Sequence, residues 1–359
     1  MIKYLGSNRA LLSWILQVVE ELVEVQSLKT ALDPFSGSAR VAHALKARGF
    51  RVIAGDYAHY AYVLAKALVE SDARVYSPDR LKPILDYLNN LPGEAGWFTE
   101  TYAHKTHFFQ PFNAARIERI RKEIDVVSEG DERLRAILLT SLMLAADKVD
   151  STTGIQMAFL KKWAPRSYNP LHLEYPPLLP GEGTALLGDA IDIVKEHEVD
   201  LLYLDPPYNQ HSYLANYHIW ETLVLFDAPT CYGVAQKRSD IKTRKSAFNS
   251  RIKAKKALRS TIYNARAKVI LLSFNNEGFH TESELLEIAR EKGYVAVLRH
   301  PYKRYVGAQI GIYNPKGEKV GQVSHLNNEE LLFVISRERK FLENLAQKVF
   351  TSANQSGLF

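Results

Sequence analysis

The apolar run Leu201-Leu202-Tyr203-Leu204 ends in Asp205, Pro206, Pro207 and Tyr208. The run reads as a strand of a parallel sheet, buried on both faces. Proline lacks the N–H that a sheet ladder needs, so the strand stops at the acid. A carboxylate, a rigid backbone and an aromatic ring at a strand end suit transfer of an electrophile to an exocyclic amine. The lone pair of an aromatic amine is delocalised into its ring, which makes the nitrogen a poor nucleophile. Two acceptors aimed at its hydrogens favour a tetrahedral nitrogen and localise that pair. The Asp205 side chain supplies one acceptor and the Pro206 carbonyl the other. The prolines hold both in place before reaction. Tyr208 supplies a face on which a heteroaromatic ring can stack.

Three other sites fall at predicted strand ends. In Asp-Pro-Phe-Ser-Gly-Ser-Ala-Arg (33–40), Asp33 closes a strand. Ser36, Gly37, Ser38 and Ala39 then form a small-residue turn that a ligand can approach closely. The turn has neither a G-x-G-x-x-G pattern nor a P-loop lysine. It suits a nucleoside or amino-acid ligand better than a pyrophosphate, and an ordinary strand-to-helix turn is the alternative. Asp56 lies 19 residues after Gly37, where an acid commonly accepts from ribose hydroxyls. A helix N-cap would also place it there. Asp189, in Leu-Leu-Gly-Asp-Ala (186–190), is placed to accept from an adenine amino group or simply to cap a helix.

The elements that must position these residues read as follows. Residues 9–25 have helical apolar spacing, 29–35 form a strand, 38–50 a helix, 51–56 a strand and 58–71 a helix. This is the start of a parallel sheet with helices on both faces. Residues 72–180 carry few strand signals and two clear helices, near 114–127 and 132–149. Strand-helix alternation returns at Thr184. Further strands are expected at 268–273, 294–299 and 331–336, with a helix at 283–292. The organisation is an α/β catalytic domain (1–71 and 181–345), a mostly helical insertion (72–180) and a C-terminal tail (346–359).

The 359 residues are 46% hydrophobic and 24% charged, as in a globular protein. One cysteine, Cys231, leaves no internal disulfide and no cysteine-based zinc site; no metal is expected. No signal peptide or membrane span is evident, and a cytoplasmic protein is expected. The net charge is +6 but unevenly spread. Residues 237–268 hold twelve Lys or Arg and one acid, Asp240, leaving the rest of the chain net negative. Such a one-sided run points to a polyanion contact more than to a solvated face.

Taken in order, these motifs resemble the S-adenosylmethionine-dependent adenine-N6 DNA methyltransferases in their alpha, Dam-type arrangement. There the cofactor motif comes first, target recognition next and the catalytic tetrapeptide last. The likeness covers nearly the whole chain. It extends through residues 205–223, 146–163, 272–278 and 304–314, which look closest to modification methylases of restriction–modification systems. The resemblance implies a Rossmann-like methyltransferase sheet with a helical target-recognition insertion, and S-adenosylmethionine as cofactor. Tyr4 and Asn8 fall in the segment that contacts the methionine end of the cofactor. Asn8 stands where lysine is expected, a change that Lys3 or Arg9 would have to offset. Asp33, Phe35, Gly37 and Ser38 match the cofactor turn, with Ala39 in place of a common glycine. Asp56 matches the ribose-binding acid, and Asp205 is expected near the methionine amino group as well as in catalysis with Pro206, Pro207 and Tyr208.

The implied substrate is double-stranded DNA with the target adenine flipped out of the stack. Lys148, Lys161 and Lys162, with Thr152, Thr153 and Gln156, are expected to contact DNA. So are Lys242 and Arg244, in a mobile loop after the catalytic motif, and Arg304 in a late strand connection. Tyr213 and Tyr217 are read as packing residues. His211 and His218 are not expected to act as a base, because amine methylation needs none before transfer. No nuclease motif is visible, so a cognate endonuclease would be a separate protein, and the expected setting is the bacterial nucleoid. The alternative reading is methylation of adenine or guanine amines in ribosomal RNA. Serine usually opens the cytosine-N4 motif, so Asp205 argues against that target.

Overall fold

The computed structural model describes residues 1–3, 11–275, 278–303, 312–313, 319–321 and 327–345. Seven strands form one sheet: β1 (Thr30–Asp33), β2 (Arg51–Asp56), β3 (Thr184–Leu187), β4 (Glu198–Leu204), β5 (Arg266–Asn275), β6 (Tyr294–Lys303) and β7 (Asn327–Ser336). Their spatial order is β3-β2-β1-β4-β5-β7-β6. The first five are parallel, and β7 runs antiparallel to both β5 and β6. The order reverses between β1 and β4, which makes the carboxyl ends of those two strands the crevice of the sheet.

Alternation along the strands explains why both faces are covered. Ala31, Val52, Leu201, Tyr203, Val269, Leu271, Leu332 and Val334 enter one apolar core. Their neighbours Leu32, Leu202, Leu204, Ile270, Leu272, Leu331, Phe333 and Ile335 enter the other. A period of two places successive side chains on opposite faces. Helices α1 (Leu12–Val25), α2 (Arg40–Ala47) and α3 (His59–Ala65) serve the first core. α3 runs on as a π-helical turn, Lys66–Glu70.

Between β2 and β3 the described residues contain helices and no strand. They include α4 (Pro78–Asn89), α5 (Pro111–Val127) and α6 (Glu132–Val149). The sequence reading passed over α4. Its signal was present: Ser77 caps the Arg80 N–H, Pro78 opens the helix, and Leu81, Leu85 and Leu88 share the buried stripe. Pro83 masked it: a proline inside a helix removes one N–H of the ladder, here the one that would reach the Asp79 carbonyl, and the buried leucine stripe outweighs that loss. α6 packs on α3 and the π turn, so these helices share one continuous apolar core with the sheet. The buried Arg121 of α5 donates to the carbonyls of Leu223 (2.7 Å) and Val224 (3.0 Å). That bond anchors the end of the helix that follows the Pro-Pro motif.

Further helices are α7 (Ala190–Glu196), α8 (His218–Leu225), α9 (Arg251–Asn264) and α10 (Glu282–Arg290). α9 corrects an expectation. The basic segment is not a free loop, because Ala254, Ala257, Leu258, Thr261 and Ile262 are buried at helical spacing. No helix among the described residues is long and apolar enough to cross a membrane. No cluster of three metal-ligating side chains occurs among them either.

Candidate active site

Asp33, Asp56 and Asp205 stand at the carboxyl ends of β1, β2 and β4, which are adjacent in the sheet. Three carboxylates thus converge at the switch point of the fold. Asp33 is buried, and its Oδ1 accepts from the Phe35 N–H at 3.3 Å. Burial, reinforced by the charge of Asp205, pushes its carboxyl well above the ordinary range. Asp56 accepts from the Gly37 N–H (3.0 Å) on one oxygen and from the Ala58 N–H (2.9 Å) on the other. It therefore ties the turn after β1 to the turn after β2, and is more than a cap for its own helix. Burial lifts it to about 6, against the pull of those two backbone bonds.

The small-residue turn has the shape that its composition predicted. Gly37 and Ala39 adopt positive φ, +49° and +58°. Glycine meets no penalty there, whereas alanine carries strain of roughly 1–2 kcal/mol. Burial of the Ala39 methyl offsets part of that. The Ser36 hydroxyl is buried with no hydrogen-bond partner. A buried hydroxyl left unpaired in a small-residue turn is the mark of a place where a polar ligand belongs.

A cleft opens above these strand ends, at the place where ligands bind in open α/β sheets. Phe35, Asp56, Asp189 and Asp205 line it, as do Tyr57, Tyr213, Ser246 and Phe248. Asp189 does cap its helix, accepting from the Ile191 N–H at 2.9 Å, and borders the cleft at the same time. Tyr213, read as a packing residue, also borders it, whereas Tyr217 is packed in the core. Tyr57, Ser246 and Phe248 were not foreseen. Phe248 lies inside a lysine-rich run, and a lone aromatic residue there was the only local signal.

Pro207 lines the same cleft, and Pro206 beneath it is buried. Tyr208 is held from two sides. Its ring meets Phe274 edge-on, with centroids 6.0 Å apart, and its carbonyl accepts from the Phe279 N–H at 2.8 Å. Behind Asp205 lies Glu330 of β7, a buried acid that sequence reading missed. Its Oε1 accepts from the Ser273 hydroxyl at 2.7 Å. Burial and the Asp205 charge push it up to about 8. The antiparallel pairing of β7 with β5 brings it there, across 125 residues of chain. His218 is buried, donates from Nε2 to the Gln156 carbonyl (3.0 Å), and is depressed to about 3 by burial. It has no access to a substrate.

The residues expected on DNA divide into two groups. Thr153, Lys161 and Lys162 are exposed. Lys148 is exposed but paired with Glu174 at 2.6 Å. Gln156 and Thr152 are buried and structural: the Gln156 side chain accepts from the Ile219 N–H (2.8 Å), and Thr152 donates to Asp150. Lys242 sits over the Tyr232 ring at 4.0 Å. Arg244 is committed inside the protein, 2.8 Å from the fully buried Glu221 and 3.3 Å from Asp240. It is a staple and not a free surface cation, because a buried carboxylate needs a fixed partner. Lys3 pairs with Asp150 at 2.8 Å, so it is no spare charge for the cofactor. Tyr4, Asn8, Arg9 and Arg304 lie outside the described residues.

Comparison with known proteins gives the chain a family. A family model described as D12 class N6 adenine-specific DNA methyltransferase matches residues 4–282. The modification methylase StsI of Streptococcus sanguinis is 30% identical over 94% of this chain and 52% of its own length. The type II methyltransferase M.NlaIII of Neisseria lactamica is 28% identical over 90% of this chain and 98% of its own. The type II methyltransferase M.FokI of Planomicrobium okeanokoites is 28% identical over 84% of this chain and 49% of its own. The chain thus spans about half the length of two of these relatives and nearly all of the third.

Proposed function

The chain belongs to the D12 class of N6 adenine-specific DNA methyltransferases, and we propose that its cleft transfers a methyl group from S-adenosylmethionine to adenine N6 in duplex DNA. The observation that carries this reading is the meeting of Asp33, Asp56 and Asp205 at three adjacent strand ends, beside a clamped Tyr208. The matched family is one of DNA enzymes, so the ribosomal RNA reading falls behind. Its relatives carry the names of modification methylases, and a modification role beside a separate endonuclease is the setting we assign.

The residues fit the cofactor. Each oxygen of Asp56 takes one backbone N–H and keeps a lone pair for a ribose hydroxyl. Asp189 and Phe35 border the space for the adenine, and the Asp205 carboxylate lines the same cleft for a cationic amino-acid end. The unpaired Ser36 hydroxyl supplies a donor. When bound, S-adenosylmethionine supplies an electrophilic methyl carbon on a sulfonium. The chain's own groups prepare the nucleophile. Asp205 and the Pro206 carbonyl accept the two N6 hydrogens and localise the lone pair, while Tyr208 stacks on the extruded base. As the N–C bond forms and the methyl carbon's bond to sulfur breaks to leave a neutral thioether, the nitrogen becomes cationic beside Asp205, which stabilises that charge. One N6 proton then leaves to water. Lys161, Lys162 and Thr153 lie on the exposed segment assigned to DNA.

Tritium transfer from labelled S-adenosylmethionine to unmethylated plasmid DNA tests this. Asp205→Ala is expected to lower kcat by at least about 10²–10³-fold. Undiminished transfer by that variant would contradict the mechanism.

A further inference from the structure

The wall of the cleft formed by Ser246 and Phe248 does not belong to the sheet ends. It comes from the short turn Ala247–Asn249, which leads directly into α9. Ser246 caps this turn by accepting from the Phe248 N–H at 3.2 Å. Phe248 is buried, meets Phe35 edge-on at 5.0 Å between centroids, and packs into the same core as Leu258 of α9. Arg244, two residues before Ser246, is fixed on Glu221, which also accepts from the Tyr60 N–H at 3.0 Å. The turn is therefore held at both ends while one side faces the cleft.

Its other side faces the catalytic loop. The Asn249 side-chain amide donates to the carbonyls of Asn209 (2.9 Å) and His211 (3.0 Å). An amide nitrogen has two hydrogens, and both are spent here. The reversed amide would aim its oxygen at two carbonyl oxygens, so the orientation is compelled. From within, the Asn209 side chain accepts from the His211 N–H at 3.0 Å, closing an Asx turn. Residues 205–212 belong to no helix or strand. The backbone that carries Tyr208 is held at its carbonyls by Phe279 on one side and Asn249 on the other.

We propose that Asn249 is a positioning residue that couples the cofactor wall at Phe248 to the loop after Tyr208, so that a filled cofactor cleft orders the backbone that receives the flipped base. The proposal rests on the cofactor reading above. Adjacent residues of one rigid turn do the coupling: Phe248 touches the cofactor side and Asn249 holds the base side. Loss of Asn249 leaves the cofactor wall intact and releases the loop. A misplacement of about 1 Å at reacting groups costs on the order of 10²-fold.

The test uses the full chain, sinefungin as the cofactor probe, and Asn249→Ala. By calorimetry the variant is expected to bind sinefungin within about twofold of wild type. Its kcat for tritium transfer to unmethylated plasmid DNA is expected to fall by about 10–10²-fold, with KM for S-adenosylmethionine unchanged. Hydrogen exchange separates coupling from general damage. In wild type, sinefungin slows exchange at residues 35–40 and also at 208–212; in the variant, only at 35–40. Protection of 208–212 in the variant, or an undiminished kcat, overturns the coupling. A large loss of sinefungin affinity also overturns it, since Asn249 would then belong to the cofactor wall. If wild type itself binds no sinefungin and residues 35–40 stay unprotected, the cofactor reading fails and takes the coupling with it.

Discussion

Glu330 shows how a single side chain reports the electrostatics of the site. In the proposed mechanism an ionised Asp205 is the stronger acceptor for an amine, and a second buried anion beside it would favour its protonation. Glu330 resolves the conflict by holding its proton up to about 8. In the unfolded chain it would ionise near 4.5. Between those values the folded state binds the extra proton, so raising the pH through this window favours unfolding, by up to about 1.4 kcal/mol per unit. Above about 8 both states are ionised and the effect levels off. Glu330→Gln removes the titration. Urea unfolding is expected to find the variant close to wild type near pH 5 and more stable by a few kcal/mol at pH 8. An unchanged pH dependence would show that Glu330 is already ionised in the folded state.

At the scale of elements, the segment after α6 shows two kinds of polar residue a few positions apart. Gln156 bonds the first turn of α8 through its side chain and contacts His218 and Asn216 through its backbone. Lys161 and Lys162 project into solvent. Gln156→Ala leaves a buried N–H without an acceptor and is expected to cost about 1–3 kcal/mol in urea unfolding. The double variant Lys161→Ala/Lys162→Ala is expected to leave stability within about 0.5 kcal/mol. Its binding to plasmid DNA should weaken, and the slope of log affinity against log salt should fall by nearly 2. An unchanged slope would remove these lysines from the DNA surface. Residue composition could not divide the segment this way, since glutamine, threonine and lysine all read as polar.

Across the whole molecule, the cleft is assembled from five separated stretches of chain: the turns after β1, β2 and β3, the Pro-Pro loop after β4 and the turn before α9. A ligand seated among them binds the folded chain only. Saturation with sinefungin at 100 times its Kd is expected to stabilise the protein by about 2.7 kcal/mol, read as a rise in Tm by differential scanning fluorimetry. No shift would mean that the five stretches do not form one site. The helices between β2 and β3 share a core with the sheet, so they are expected to melt in the same transition as the site.

The sequence by itself determined the α/β class and the strand ends that carry Asp33, Asp56 and Asp205, and it held the tetrapeptide on which the proposed chemistry rests. These are local: a period-two apolar run, a proline stop and a small-residue turn are each written within ten residues. It also held the stripe of α9 and the cap of α4, which a basic run and an internal proline obscured. Only the tertiary structure decided what those charges face. Arg244 became a staple because Glu221 lies buried opposite it, and Glu330 joined Asp205 because β7 runs antiparallel beside β5. Asn249 met the catalytic loop 38 residues earlier in the chain. Contacts of that range depend on strand order and helix docking, and no local pattern of residue types encodes them.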